Sequence, residues 1–85
     1  MAEGIQVTLK LFAAYQEAYG CSEVELLLPT GSSVGTVLEQ VLQTHPELER
    51  WRSVTRFGVN LQFVPSETLL KTGDEVVLIP PVSGG

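Results

Sequence analysis

The chain has 85 residues, enough for one small hydrophobic core but with little room for a buried active site. Its 10 acidic residues against 5 basic ones give a net charge of −5, which argues against nucleic acid as a partner, since that recognition begins with a basic patch, and favours approach to a positively charged protein. A single cysteine excludes an internal disulfide and any cysteine-based metal cluster, and no apolar run approaches the roughly 18 residues of a membrane-spanning helix.

Met1-Ala2-Glu3-Gly4 has no basic region and no long apolar segment, so no secretory signal is expected and the expected location is cytoplasmic. Ile5 to Leu11 alternates apolar and polar residues at period two, the pattern of a half-buried strand. Phe12 to Tyr19 is short, alanine-rich and compatible with a helix, with Gly20 where a helix C-cap would stand. Cys21 follows in a turn without the histidine or cation that would lower a thiol pKa, so it reads as a structural residue. Val24 to Leu28 reads as a second strand with Val24, Leu26 and Leu28 on one face.

Val34, Val37, Leu38, Val41 and Leu42 fall at i, i+3, i+4, i+7 and i+8, the apolar stripe of an amphipathic helix. Ser32 or Ser33 is placed to cap its start, and His45-Pro46 closes it, because the residue before a proline is pushed out of the helical region. His45 therefore reads as a capping or surface residue rather than a catalytic one. Pro46 to Arg52 reads as an irregular connection, with Trp51 a packed rim residue. Phe57 to Asn60 and Gln62 to Val64 predict a hairpin in which Asn60 takes the positive φ of a tight turn. Leu69-Leu70 is expected to plug the core from a loop, Thr72-Gly73-Asp74 to turn, and Glu75 to Ile79 to form the closing strand. Regular pairing should stop at Pro80-Pro81, which have no N–H to donate. This order fits an α+β domain in which a mixed sheet of about five strands wraps one main helix, and a β-grasp fold satisfies it.

The chain is poor in intrinsic chemistry. It has no Ser/His/Asp or Cys/His arrangement, no HExxH, no phosphate-cradling glycine loop and no CxxC pair, and no metal site is expected. The pairs Glu23/Glu25 and Glu47/Glu49 read as solvated surface charge. If the helix covers one side of the sheet, strand parity puts Phe12, Phe63, Val77 and Ile79 on the other, where an apolar patch would mark a protein interface unless loops cover it. The sequence ends in Gly84-Gly85 after Pro80-Pro81-Val82-Ser83. Taken alone such an end reads equally as a frayed terminus or as a thin segment that threads a narrow channel.

Val59-Asn60-Leu61-Gln62-Phe63-Val64, followed by Leu69 to Asp74 and Glu75-Val76-Val77-Leu78-Ile79-Pro80-Pro81-Val82-Ser83-Gly84-Gly85, resembles the small subunits of molybdopterin synthase, a family of ubiquitin-like β-grasp sulfur carriers. Leu11-Phe12-Ala13 with Glu17 and Gly20 matches the opening of that family. The resemblance implies a β-grasp domain over residues 1–81 and a flexible tail over 82–85. It implies that the Gly85 carboxylate is adenylated by a ubiquitin-activating-type adenylyltransferase that consumes ATP, then converted to a thiocarboxylate. The loaded tail enters the large subunit of a heterotetrameric synthase, and its sulfur passes to a pterin precursor. Gly84 lets the backbone pass where a side chain would clash, and Phe12, Phe63 and Ile79, with Pro80, Pro81, Val82 and Ser83, match the partner interface. No permanently bound cofactor, no nucleic acid and no membrane is implied, and the chain is not an enzyme by itself. Two other readings stay open: a diglycine carrier for thiamin or tRNA thiolation or a ubiquitin-like protein modifier, and a plain interaction domain with an inert tail.

Overall fold

The computed structural model describes residues 4–80. Strand β1 (Gly4–Leu11) buries Ile5, Val7, Leu9 and Leu11 and leaves the residues between them at least partly open, as the period-two pattern requires. Helix α1 (Ala14–Tyr19) ends at Gly20, which takes φ 74° and donates its N–H to the Gln16 carbonyl. Strand β2 (Glu23–Pro29) follows, and helix α2 (Val34–Thr44) buries the five residues of the predicted stripe, Val34, Val37, Leu38, Val41 and Leu42. The short strands β3 (Arg56–Val59) and β4 (Gln62–Val64) form the hairpin, and β5 (Glu75–Ile79) closes the sheet.

The five strands lie in the order β2-β1-β5-β3-β4, with β1 and β5 parallel and the other neighbours antiparallel. This is the mixed sheet on one main helix that the element order predicts. The parallel β1–β5 pair sits centrally, and Leu9, Leu11, Val76 and Leu78 beneath it are all at most 1% exposed. They pack with the α2 stripe into one core, joined by Leu48, Val59 and Leu70.

Three details differ from the sequence expectation. Ser33 occupies the start of α2, but its hydroxyl bonds no backbone N–H; it lies 3.3 Å from Thr36 Oγ1. The first helical N–H groups, of Val34 and Gly35, instead donate to the carbonyls of Thr68 and Ser66, both at 2.8 Å, so the loop before β5 supplies the cap. Pro46 to Val54 is not irregular but a 3₁₀ helix, with Pro46 at its start and Leu48 buried beneath it. Trp51 in that segment is half-buried against the core, as a rim residue should be. Of Leu69-Leu70 only Leu70 enters the core, while Leu69 is 65% exposed. Leu69 bridges to Ser33 in extended backbone, where neighbouring side chains point to opposite sides, so only one of the two can face inward. The expected domain boundary after residue 81 lies outside the described residues.

The hairpin turn is anchored by its side chains. Asn60 and Leu61 have φ of 51° and 72°, the paired positive values of a type I′ turn. The Asn60 amide donates to Asp74 Oδ1 and accepts the Glu75 N–H, both at 3.0 Å, and the Asn60 N–H donates to the Glu75 carbonyl. Asp74 also accepts the Lys71 N–H at 2.8 Å. The β3–β4 turn is thereby fixed to the start of β5.

A buried hydroxyl chain ties α1 to the 3₁₀ helix. Thr55 Oγ1 donates to the Trp51 carbonyl at 2.8 Å, so at the 2.5 Å contact with Tyr15 the tyrosine is the donor. Burial raises the Tyr15 pKa above its ordinary 10.0. On raising the pH, the unfolded chain then loses this proton before the folded one does. Stability therefore falls as the pH rises past the ordinary phenol value. Tyr15→Phe is expected to cost about 1 kcal/mol at neutral pH and to flatten that alkaline decline, both read by urea unfolding at a series of pH values.

Candidate partner-docking site

The strand order and register decide what the uncovered sheet face presents. Gly58 pairs with Phe63 across the hairpin and with Val77 of β5, and Val77 pairs in turn with Lys10 of β1. Residues paired in this way point to the same side, opposite to the core residues Leu11, Val59, Val76 and Leu78. Ile79 lies two residues beyond Val77 on the same face. Phe12 directly follows the last residue of β1. The structure therefore brings Phe12, Phe63, Val77 and Ile79 together, around a shallow concavity of about 250 Å³ that Gly58, Leu61 and Gln62 complete.

Phe12 is 48% exposed, Phe63 72% and Leu61 91%, so no loop among the described residues covers this patch. Leu61 and Gly58 were not legible as part of it. Leu61 is carried there by the type I′ turn and Gly58 by register, and neither follows from alternation along a single strand.

The other half of the same face is polar apart from Leu27, which is exposed opposite Gln6. Lys10 lies 3.5 Å from both Glu23 and Glu75, whose charges, Glu75 foremost, raise its pKa. Glu25 accepts from Gln6 Nε2 at 3.1 Å and from Thr8 Oγ1 at 2.8 Å. The face thus passes from a hydrogen-bonded, charged half on β2 and β1 to an apolar half on β5, β3 and β4. The apolar half surrounds the residue at which β5 ends, Ile79, and Pro80, next in the chain, is buried. Pro81, Val82, Ser83, Gly84 and Gly85 lie outside the described residues.

No reactive constellation among the described residues competes with this surface. Among the described residues no group of His, Cys, Asp and Glu is placed to hold a metal ion. Cys21 is exposed. His45 is the C-cap of α2, donating its N–H to the Val41 carbonyl, with its ring 4.5 Å from that of Tyr19 and Nδ1 3.4 Å from Glu47. Glu49 is engaged by Arg52, whose hydrogen bond holds its carboxyl below the usual range; Arg52 also meets Glu39. Among the described residues no helix is long and apolar enough to cross a membrane.

Comparison with known proteins agrees with this architecture. A molybdopterin synthase sulfur carrier subunit of Mycobacterium tuberculosis is 36% identical over 84 residues, covering 95% of this chain and 99% of the relative. The crystal structure of small archaeal modifier protein 1 of Haloferax volcanii superposes with a TM-score of 0.80 at 27% identity, over 93% of this chain and 100% of that one. A chain from the complex of subunits 1 and 2 of the molybdopterin-converting factor of Helicobacter pylori matches with a TM-score of 0.63 at 26% identity, over 95% of this chain and 100% of its own. The ThiS family matches over residues 9–85, from the last residues of β1 to the diglycine end, and the chain belongs to that family.

Proposed function

We propose that this chain is the sulfur-carrier subunit of a molybdopterin synthase. The observation that carries the reading is the 36% identity, nearly end to end, with a molybdopterin synthase sulfur carrier subunit. It is supported by an apolar docking face that runs up to the base of the C-terminal segment.

The chain contributes an acyl group and a handle rather than a catalytic side chain. The Gly85 carboxylate is a poor electrophile. An adenylyltransferase joins it to AMP from ATP, releasing pyrophosphate, and the mixed anhydride then accepts sulfur as AMP leaves. The product is a thiocarboxylate, anionic and nucleophilic at neutral pH. Within the large subunit its sulfur transfers to the pterin precursor, and water restores the carboxylate. Phe12, Phe63 and Ile79 hold the carrier on each partner in turn. Pro80 and Pro81, with φ fixed, direct the chain off the sheet. From Pro81 onward the chain reaches on the order of 13–14 Å at about 3.3–3.6 Å per residue, and Gly84-Gly85 pass where side chains would clash.

The likeness to an archaeal modifier protein leaves activation common to both roles, so the sulfur acceptor separates them. The test of carriage is the intact mass of the chain after incubation with ATP, its activating enzyme and a sulfur source. A gain equal to exchanging one oxygen for sulfur, mapped to Gly85, is expected. An unchanged mass, with an enzyme proven active on another carrier, would leave only an interaction domain.

A further inference from the structure

Gly58 lies inside β3, where glycine weakens a strand relative to a residue with a side chain. Nothing local requires it. Its φ is not positive, unlike those of Gly20, Gly31 and Gly73. A Cβ built at Gly58 meets only the Gln62 carbonyl oxygen and Val77 Cβ, each at 3.6 Å, which is ordinary contact. At Gly4 and Gly35, by contrast, a Cβ comes within 3.1 Å of a backbone oxygen. Neither backbone conformation nor packing in the described chain therefore excludes a side chain at position 58. What a larger side chain there would occupy is the concavity itself, because Gly58 lies between its register partners Phe63 and Val77. A glycine inside a strand often marks a bulge, a tight bend or a site where a ligand or another backbone comes close, and the unbroken register through Gly58 excludes the bulge.

We propose that Gly58 sets the depth of the docking surface, leaving a socket that receives one apolar side chain of the large synthase subunit. The inference rests on the docking reading above and names a selectivity determinant within it. The occupant follows from position and chemistry. Ile79 lines the socket and immediately precedes Pro80, so a partner that takes up the C-terminal segment covers the socket too. The walls are Phe12, Leu61, Phe63, Val77 and Ile79 with one polar residue, the uncharged Gln62, so a charged group entering there finds no counter-charge. An aliphatic or aromatic side chain loses nothing there and buries its surface.

The test measures binding of the full-length chain to the purified large subunit for Gly58→Ala, Gly58→Leu and Phe63→Asp, with thermal unfolding of each. Both Gly58 variants are expected to melt at or above the parent temperature. Affinity is expected to fall roughly threefold for Gly58→Ala and at least about tenfold for Gly58→Leu, mainly through faster dissociation. A folded Gly58→Leu that binds as tightly as the parent, or more tightly, overturns the proposal. Unfolding of Gly58→Ala overturns it as well, since the glycine would then serve the fold. If Gly58→Leu does not fold, the alanine variant decides by the same criterion. Phe63→Asp separates the two levels: if it too binds normally, the docking reading itself fails, whereas loss of binding there alone removes only the role of Gly58.

Discussion

Deleting Gly84 and Gly85 is expected to leave the melting temperature unchanged and to abolish sulfur transfer completely. The stability half follows from where the core lies. Among the described residues every member of the core cluster falls between Ile5 and Leu78, and β5 ends at Ile79. Changes away from such packing alter stability by no more than about 0.5 kcal/mol, and the deletion removes none of those core residues. The functional half follows from chemistry. In the proposed reaction the group that carries sulfur is the Gly85 carboxylate, and the deletion removes it. Intact-mass analysis of the truncated chain after activation checks it; sulfur found on the new terminus would show that the diglycine is dispensable.

Phe63→Asp is expected to weaken binding to the large subunit by about a hundredfold, the scale of a central apolar anchor. The same substitution leaves stability nearly untouched, because Phe63 is 72% exposed. Leu78→Ala is expected to do the reverse. Leu78 is fully buried one residue from Ile79 in the same strand, and truncating a buried leucine costs about 2–5 kcal/mol, a large part of the roughly 5–15 kcal/mol that holds a domain together. The folded fraction of that variant should still bind the partner normally. Calorimetric binding beside urea unfolding on the two variants checks the contrast. Severe unfolding of Phe63→Asp would mean that the side chain belongs to the core.

The separation of these two effects was legible before any coordinates, because it depends only on parity along a strand. Val76 and Leu78 fall on one side of β5 and Val77 and Ile79 on the other, and the single strong amphipathic helix can cover only one of them. The Asn60 turn and the Gly20 cap were legible for a similar reason: each is a local backbone requirement that few residues meet. What escaped depends on contacts distant in sequence. The carbonyls of Ser66 and Thr68 cap α2 across some 30 residues of chain, a bond no local pattern announces. Leu69 resembles Leu70 in composition and differs only in which side of an extended segment it occupies. Gly58 gained meaning only when register placed it between Phe63 and Val77.

The most direct test of the account is a single-turnover reaction. The full-length chain carrying a Gly85 thiocarboxylate is mixed with purified large subunit and the pterin precursor, with no other sulfur source. Molybdopterin should form while the mass at Gly85 returns to that of the plain carboxylate. If sulfur stays on Gly85 and no molybdopterin appears, while the same large subunit accepts sulfur from another carrier, the chain serves a different acceptor and the central claim is wrong.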